Sequence, residues 1–102
     1  MKKIFALLLA SFVALSAAEL KIGTAPNYPP FEFIDENGNI AGFDIDLLDA
    51  VSKKAGFSYK VVNLSFDGLI AALKTGKIDG IISAMSATDE RKKSVDFTAP
   101  YY

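Results

Sequence analysis

Strand-like and helix-like segments alternate along most of this chain, and their order restricts the folds that it can adopt. Leu20–Ala25 alternates apolar and polar residues as a half-buried strand does, and Pro26 ends that segment. Apolar residues then recur at helical spacing between Phe43 and Ala55, and Gly56 lies where a helix would end. Strands that alternate with helices of about ten residues favour parallel βαβ units. We therefore predict an α/β fold with a mostly parallel sheet and flanking helices.

Local signals predict the remaining elements. Phe31–Ile34 and Ile40-Ala41 lie on either side of an Asn-Gly pair, which is a strong hairpin signal. Asp44 is predicted to cap the first helix. Beyond that helix, we predict a strand over Phe57–Val62, a helix opened by Ser65 and closed by Gly76, a strand over Ile78–Ser83, a short helix capped by Thr88, and an extended segment over Val95–Thr98.

The first residues do not belong to this pattern. Lys2 and Lys3 precede an apolar run from Ile4 to Leu15, and the small residues Ser16-Ala17-Ala18 follow it. This order is typical of a secretory signal peptide, and the run is shorter than the roughly 20 apolar residues that span a membrane. We predict a signal peptide over residues 1–18, cleaved after Ala18 or one residue earlier, and a periplasmic product. A buried N-terminal helix is the alternative.

Composition excludes several kinds of site. The 102 residues include no Cys and no His, and 11 basic side chains stand against 12 acidic ones. Without Cys and His the chain cannot build a zinc site of the usual ligands, a disulfide or a His-based triad. The near-neutral charge provides no basic surface for nucleic acid. Asp44, Asp46 and Asp49 fit a helix-start pattern better than a catalytic one, so we predict no catalytic residue, metal or cofactor.

The candidate site is predicted at the carboxyl ends of the parallel strands, where ligands of such sheets collect. Ser83, Ser86 and Arg91 come from one loop; their hydroxyls and guanidinium suit an anion, and a carboxylate in particular. Tyr28 and Phe66 come from two other loops and suit an apolar stem or a cation. Taken singly, each is more often an ordinary turn, cap, surface or core residue. Their convergence predicts a binding face for a small anion or zwitterion.

A series of short motifs extends over nearly the whole chain after residue 19. They are Tyr28-Pro29-Pro30-Phe31-Glu32-Phe33, Gly42-Phe43-Asp44-Ile45-Asp46-Leu47, Phe66-Asp67-Gly68-Leu69-Ile70-Ala71-Ala72-Leu73, Gly76-Lys77-Ile78-Asp79, Met85-Ser86-Ala87-Thr88-Asp89-Glu90-Arg91 and Pro100-Tyr101-Tyr102. In this order, behind a signal peptide, they resemble the N-terminal part of the family 3 periplasmic solute-binding proteins, the amino-acid receptors of ABC importers.

The resemblance implies the first lobe of a type II periplasmic-binding-protein fold over residues 19–102, with the second lobe missing or incomplete. It implies that Arg91 binds the carboxylate of an amino acid with help from Ser86, and that the Ala84 carbonyl receives the ammonium group. Tyr28 and Phe66 would enclose the ligand side chain, and Ser83 belongs to the same binding face. The implied partners are an amino-acid ligand and the membrane permease of an ABC importer, for a monomeric protein that binds no nucleic acid.

Two departures from the family pattern qualify this expectation. Ala25 stands where members that bind glutamine or basic amino acids often carry an acidic residue, which modestly disfavours a cationic ligand. The chain stops at Tyr102, before the hinge and second lobe, so weak or no amino-acid affinity is expected of these residues alone. A secreted enzyme such as a dehydratase, or a sensor input domain on the same fold, is the alternative.

Overall fold

Two small sheets and the helices packed on them make up the protein in a computed structural model that describes residues 18–102. In chain order the elements are β1 (Glu19–Thr24), β2 (Asn27–Tyr28), β3 (Glu32–Ile34), β4 (Ile40–Ala41), α1 (Phe43–Ala55), β5 (Ser58–Asn63), α2 (Leu69–Lys74), β6 (Gly80–Ile81) and α3 (Asp89–Lys92). A 3-10 turn over Phe66–Gly68 leads into α2. The predicted signal peptide lies outside the described residues, except for Ala18.

The first sheet is parallel, with β1 between β5 and β6. The β1–β5 register runs from Glu19 opposite Ser58 to Thr24 opposite Asn63, and α1 belongs to the connection between these strands. On the other edge, Ile22 and Gly23 lie opposite Gly80 and Ile81. The predicted α/β architecture with a parallel sheet is confirmed.

Two predicted extended segments differ from the structure. The strand predicted over Ile78–Ser83 is reduced to Gly80–Ile81. At its start the Ile78 N–H donates to the Ala72 carbonyl of α2, and beyond Ile82 the Ala25 N–H donates to the Ser83 side chain and not to the backbone. Val95–Thr98 joins neither of the sheets formed by residues 18–102.

The second sheet contains the predicted hairpin. Residues Phe33 and Ile34 of β3 pair antiparallel with Ala41 and Ile40 of β4, and β2 adds a third strand. The loop is longer than a two-residue turn, because the Asp35 carboxylate accepts from the N–H groups of Asn37 and Asn39, each at 2.9 Å. The Asn-Gly signal identified the hairpin correctly, and the aspartate two residues before it shapes the loop.

The start of α1 corrects the prediction for Asp44. The N-cap is Gly42, and the first free N–H groups, of Phe43 and Asp44, donate to the carbonyls of Pro30 and Phe31, each at 2.9 Å. Backbone carbonyls thus satisfy donors that a capping side chain would otherwise serve. Asp44 is instead fully buried within the first turn. The other end agrees with prediction, since Gly56 adopts a left-handed conformation and ends the helix.

The hydrophobic core lies between the parallel sheet and α2. Its buried members are Ala25, Leu69, Ala72 and Ile78. Leu69, the first residue of α2, is completely buried. This core lies directly under the loops that follow β1 and β5, and so it supports the candidate site. Within residues 18–102, no helix combines the length and the apolar character that a membrane span requires.

Candidate functional site

The three loops that were predicted to converge enclose one cavity of about 390 Å³ beyond the parallel strands. Its lining contains all six residues selected from the sequence, together with two neighbours: Ala25, Asn27, Tyr28, Phe66, Ser83, Ala84, Ser86 and Arg91. Parallel strands bring their carboxyl ends to one edge of the sheet, and this accounts for the convergence.

Arg91 is held at the cavity by three contacts. Its guanidinium carbon lies 5.3 Å from the centre of the Phe66 ring, which is within cation–π range. Its Nη1 donates to the Ser86 carbonyl at 3.0 Å, while its backbone N–H donates to the Thr88 hydroxyl that caps α3, at 3.2 Å. A guanidinium has five N–H donors, so most of them are left for another acceptor. The side chain is half-buried, unlike the exposed Lys92 that follows it.

Ser83 connects two strand ends. Its buried hydroxyl oxygen accepts from the Ala25 N–H at 3.0 Å. A hydroxyl also has a proton of its own to donate, so this bond leaves Ser83 able to serve an anion in the cavity. Ser86, in contrast, is exposed and contributes its carbonyl to Arg91.

Ala84 has an unusual backbone conformation, with φ of 49°. The left-handed region is unfavourable for a residue with a side chain, by roughly 1–2 kcal/mol. The Ala84 N–H donates to Asp44 Oδ2 at 2.8 Å, and this charge-assisted bond offsets the cost. Asp44 therefore helps to set the path of the loop that lines the cavity.

Tyr28, in the short strand β2, also lines the cavity. Its ring is 56% exposed, and one face stacks on Phe31 at a centroid distance of 5.6 Å. Phe31 thus fixes the ring while most of its surface stays open to a ligand.

Two buried carboxyl groups, of Glu32 and Asp44, were not predicted from the sequence, and the partly exposed Tyr101 bonds to one of them. The Tyr101 hydroxyl donates to Asp44 Oδ1 at 2.7 Å, and burial raises the pKa of Tyr101. Burial, then a hydrogen bond and charge repulsion from Asp44, raise the pKa of Glu32 to about 8. Alternation in Phe31-Glu32-Phe33 would place Glu32 on the solvent face of the strand, so nothing in the sequence indicated that Glu32 is buried. Asp44 precedes the buried Leu48 by four positions, which places both residues on the same face of α1, and this spacing was the one available indication that Asp44 is buried.

Open α/β sheets bind ligands beyond the carboxyl ends of their parallel strands, and the cavity that Arg91 lines lies at that edge. The chain belongs to the bacterial extracellular solute-binding proteins, family 3, whose model matches residues 20–102.

Among curated proteins, the chain is 57% identical over 93 residues to a probable histidine-binding protein of Campylobacter jejuni, covering 91% of this chain and 36% of that protein. It is 48% identical over 103 residues to ABC transporter arginine-binding protein 1 of Escherichia coli, covering 99% of this chain and 42% of the relative. The chain thus spans less than half the length of these relatives. Both are named as binding proteins and not as enzymes.

Solved structures show the same fold. The arginine-bound form of domain 1 from TmArgBP superimposes with a TM-score of 0.80 at 48% identity, over 90% of this chain and 71% of that one. An ancestral arginine-binding protein bound to arginine gives a TM-score of 0.82 at 49% identity, over 85% of this chain and 38% of that one. The predicted fold, the first lobe of the type II periplasmic-binding-protein fold, is confirmed.

Proposed function

We propose that this chain forms the first lobe of a periplasmic receptor that binds an amino acid and delivers it to the permease of an ABC importer. In this proposal residues 1–18 are a cleaved signal peptide, and residues 19–102 are the lobe of a monomeric protein that performs no chemistry of its own. The observation that carries the proposal is the Arg91 guanidinium, fixed by the Ser86 carbonyl and the Phe66 ring beside a cavity of about 390 Å³.

In this function Arg91 binds the ligand carboxylate, since a planar guanidinium forms two parallel bonds with a carboxylate. Ser83 and Ser86 add hydroxyl donors, and the Ala84 carbonyl accepts from the ligand ammonium group. Tyr28 and Phe66 enclose the side chain. Each of these residues lines the one cavity, which supports their acting together.

We further propose that the ligand is a basic amino acid of the arginine or histidine type. The matched relatives are named for histidine and arginine. The open face of Tyr28 supports this ligand class, since an aromatic ring attracts a cation. Ala25 provides no acidic group at the cavity, so in this proposal the Tyr28 ring supplies part of the attraction for the cationic side chain of the ligand.

The test is a heteronuclear NMR titration of the chain with L-arginine, L-histidine and L-aspartate. The arginine-bound structure of domain 1 from TmArgBP supports testing a single lobe for binding. Arginine or histidine should shift the Arg91 and Ala84 signals, while aspartate should not. Arg91→Ala should weaken binding at least about tenfold, because a charge-assisted pair is lost.

Two variants control this experiment. Lys92→Ala removes an exposed charge from the same helix and should change affinity less than about twofold. Arg91→Lys keeps the charge but loses the fork geometry, and so should bind more weakly than the unmodified chain. Equal affinities for the unmodified chain and Arg91→Ala would contradict the assigned role of Arg91.

A further inference from the structure

Two carboxyl groups from different elements lie near each other in the interior, and one of them bonds to a residue that lines the cavity. Glu32 is in β3 and Asp44 is in the first turn of α1, and both side chains are 0% exposed. The oxygens of Asp44 accept from the Ala84 N–H at 2.8 Å and from the Tyr101 hydroxyl at 2.7 Å. The two oxygens of Glu32 have no hydrogen-bond donor among residues 18–102.

An ionised Glu32 is strongly disfavoured in this position. A buried carboxylate needs donors or a cation, and here the carboxyl beside it is a second acid. As a neutral acid, Glu32 has an O–H that can donate to Asp44, and that bond accounts for two acids packed side by side. Burial is the main reason why the pKa of Glu32 is raised to about 8.

We propose that Glu32 carries a proton and donates it to Asp44, and that the Asp44 carboxylate, held in this way, is the positioning residue for the Ala84 turn of the binding cavity. The pair then has one negative charge, which the Ala84 N–H and the Tyr101 hydroxyl stabilise. The titratable groups that face Glu32 are Asp44 from α1 and Tyr101 from the C-terminal segment. The ion pair found within the described residues joins Lys53 to Asp49 and includes neither Glu32 nor Asp44.

Loss of the Glu32 proton would place two like charges next to each other in a buried site. Asp44 can relieve the repulsion only by moving, and movement weakens its bond to the Ala84 N–H. Because Ala84 is in a left-handed conformation that this bond supports, the turn should relax as pH rises past the point at which Glu32 ionises.

The experiment is an NMR pH titration of the chain, following the Glu32 side-chain carboxyl carbon and the Ala84 amide proton. Both signals should move with the same midpoint near pH 8, with the Ala84 proton shifting upfield as its bond weakens. Glu32→Gln keeps a donor but cannot ionise, so its Ala84 signal should stay constant over this range. Glu36→Gln changes an exposed acid in the adjacent hairpin loop and should titrate like the unmodified chain.

Asp44→Asn provides a second check, because a neutral acceptor should move the Ala84 proton upfield at every pH. If this variant does not fold, the comparison of Glu32→Gln with Glu36→Gln still decides the matter. A constant Ala84 signal while Glu32 titrates, or the same inflection in Glu32→Gln, overturns the proposal.

The consequence for binding rests on the proposed function and has its own measurement. The affinity for L-arginine should fall as pH rises past 8 more steeply in the unmodified chain than in Glu32→Gln. The amino group of the ligand titrates equally in both experiments, so the difference between the two profiles isolates Glu32. Absence of arginine binding would refute the proposed function, whereas the Ala84 titration would still report on the carboxyl pair.

Discussion

The Ser83 hydroxyl accepts a hydrogen bond from the backbone N–H of Ala25 at 3.0 Å, across 58 positions of sequence. Ala25 follows the central strand of the sheet and Ser83 follows the edge strand, and both residues are buried. The bond therefore holds two of the three loops of the cavity at a fixed separation. It does so where the backbone ladder between β1 and β6 has already ended.

Replacement of Ser83 by Ala should destabilise the protein by roughly 1–3 kcal/mol, because a buried N–H loses its acceptor. The free energy of unfolding, from urea denaturation followed by circular dichroism, measures this loss. Ser94→Ala is the matched control, since Ser94 is exposed and should change stability by less than about 0.5 kcal/mol. Equal stabilities of the two variants would show that the Ser83 bond contributes nothing.

The two glycines that bound α1 should respond differently to alanine. Both have positive φ. Gly56, at φ 78°, is in the left-handed region, where alanine costs about 1–2 kcal/mol, whereas Gly42, at φ 125° and ψ −178°, is in a region that essentially only glycine adopts. A Cβ on Gly42 would also clash with the Phe31 carbonyl oxygen, whereas one on Gly56 would meet nothing within 4 Å. That clash should add a further 1–3 kcal/mol, roughly.

Thermal and urea denaturation of Gly42→Ala and Gly56→Ala test this difference directly. Gly56→Ala should lower the melting temperature moderately, and Gly42→Ala should lower it clearly further. Similar losses for both would mean that strand β3 can move away from the start of α1 at little cost.

Much of the architecture was predictable because several elements are encoded by a local period. Residues from Leu20 to Ala25 alternate, those from Phe43 to Ala55 recur every three or four positions, and Gly56 ends the helix as expected. The predicted site also converged, since parallel strands must present their carboxyl ends at one edge. In both cases the three-dimensional result follows from the order and type of elements alone.

The carboxyl pair could not be predicted because its burial depends on two elements meeting. In the sequence, Asp44 looks like a helix cap and Glu32 looks like the exposed residue of an alternating strand. Only the fold shows that the carbonyls of Pro30 and Phe31 occupy the capping role and leave Asp44 to turn inward. Tyr101, which bonds to Asp44, is 57 residues away in sequence.

Phe66→Leu should release the Arg91 side chain from its position. Leucine preserves most of the apolar volume but has no aromatic face, so the cation–π contact at 5.3 Å is lost. The Arg91 Nε–H proton, shifted by the ring in the unmodified chain, should move toward its random-coil position in the NMR spectrum. Phe57→Leu, at a half-buried ring preceding β5, should leave that signal unchanged. An unchanged Arg91 signal in Phe66→Leu would show that the ring does not hold the guanidinium in solution.

The free energy of unfolding should decrease as pH rises from the pKa of Glu32 in the unfolded chain to its pKa in the folded protein. In this range Glu32 is ionised only in the unfolded state. The pKa of Glu32 is about 8 in the folded protein and near 4.5 when the group is free. Between these values the folded state binds a proton that the unfolded state has lost, so the free energy of unfolding falls as pH rises, by at most about 1.4 kcal/mol per pH unit. Above pH 8 the contribution of Glu32 is lost and the slope ends.

The difference in unfolding free energy between the unmodified chain and Glu32→Gln, measured by urea denaturation from pH 5 to pH 9, isolates this contribution because Gln does not titrate. Asp49 does not interfere, since its hydrogen bonds to Lys53 and Tyr59 hold its pKa below the usual value. The stability from Asp49 is thus lost only as pH falls through more acidic values. The free energy of unfolding of the unmodified chain, taken relative to that of Glu32→Gln, should fall steadily up to about pH 8 and then level off. A difference that stays constant over the whole range would mean that Glu32 is already ionised in the folded protein at pH 5, and that the buried pair has two charges.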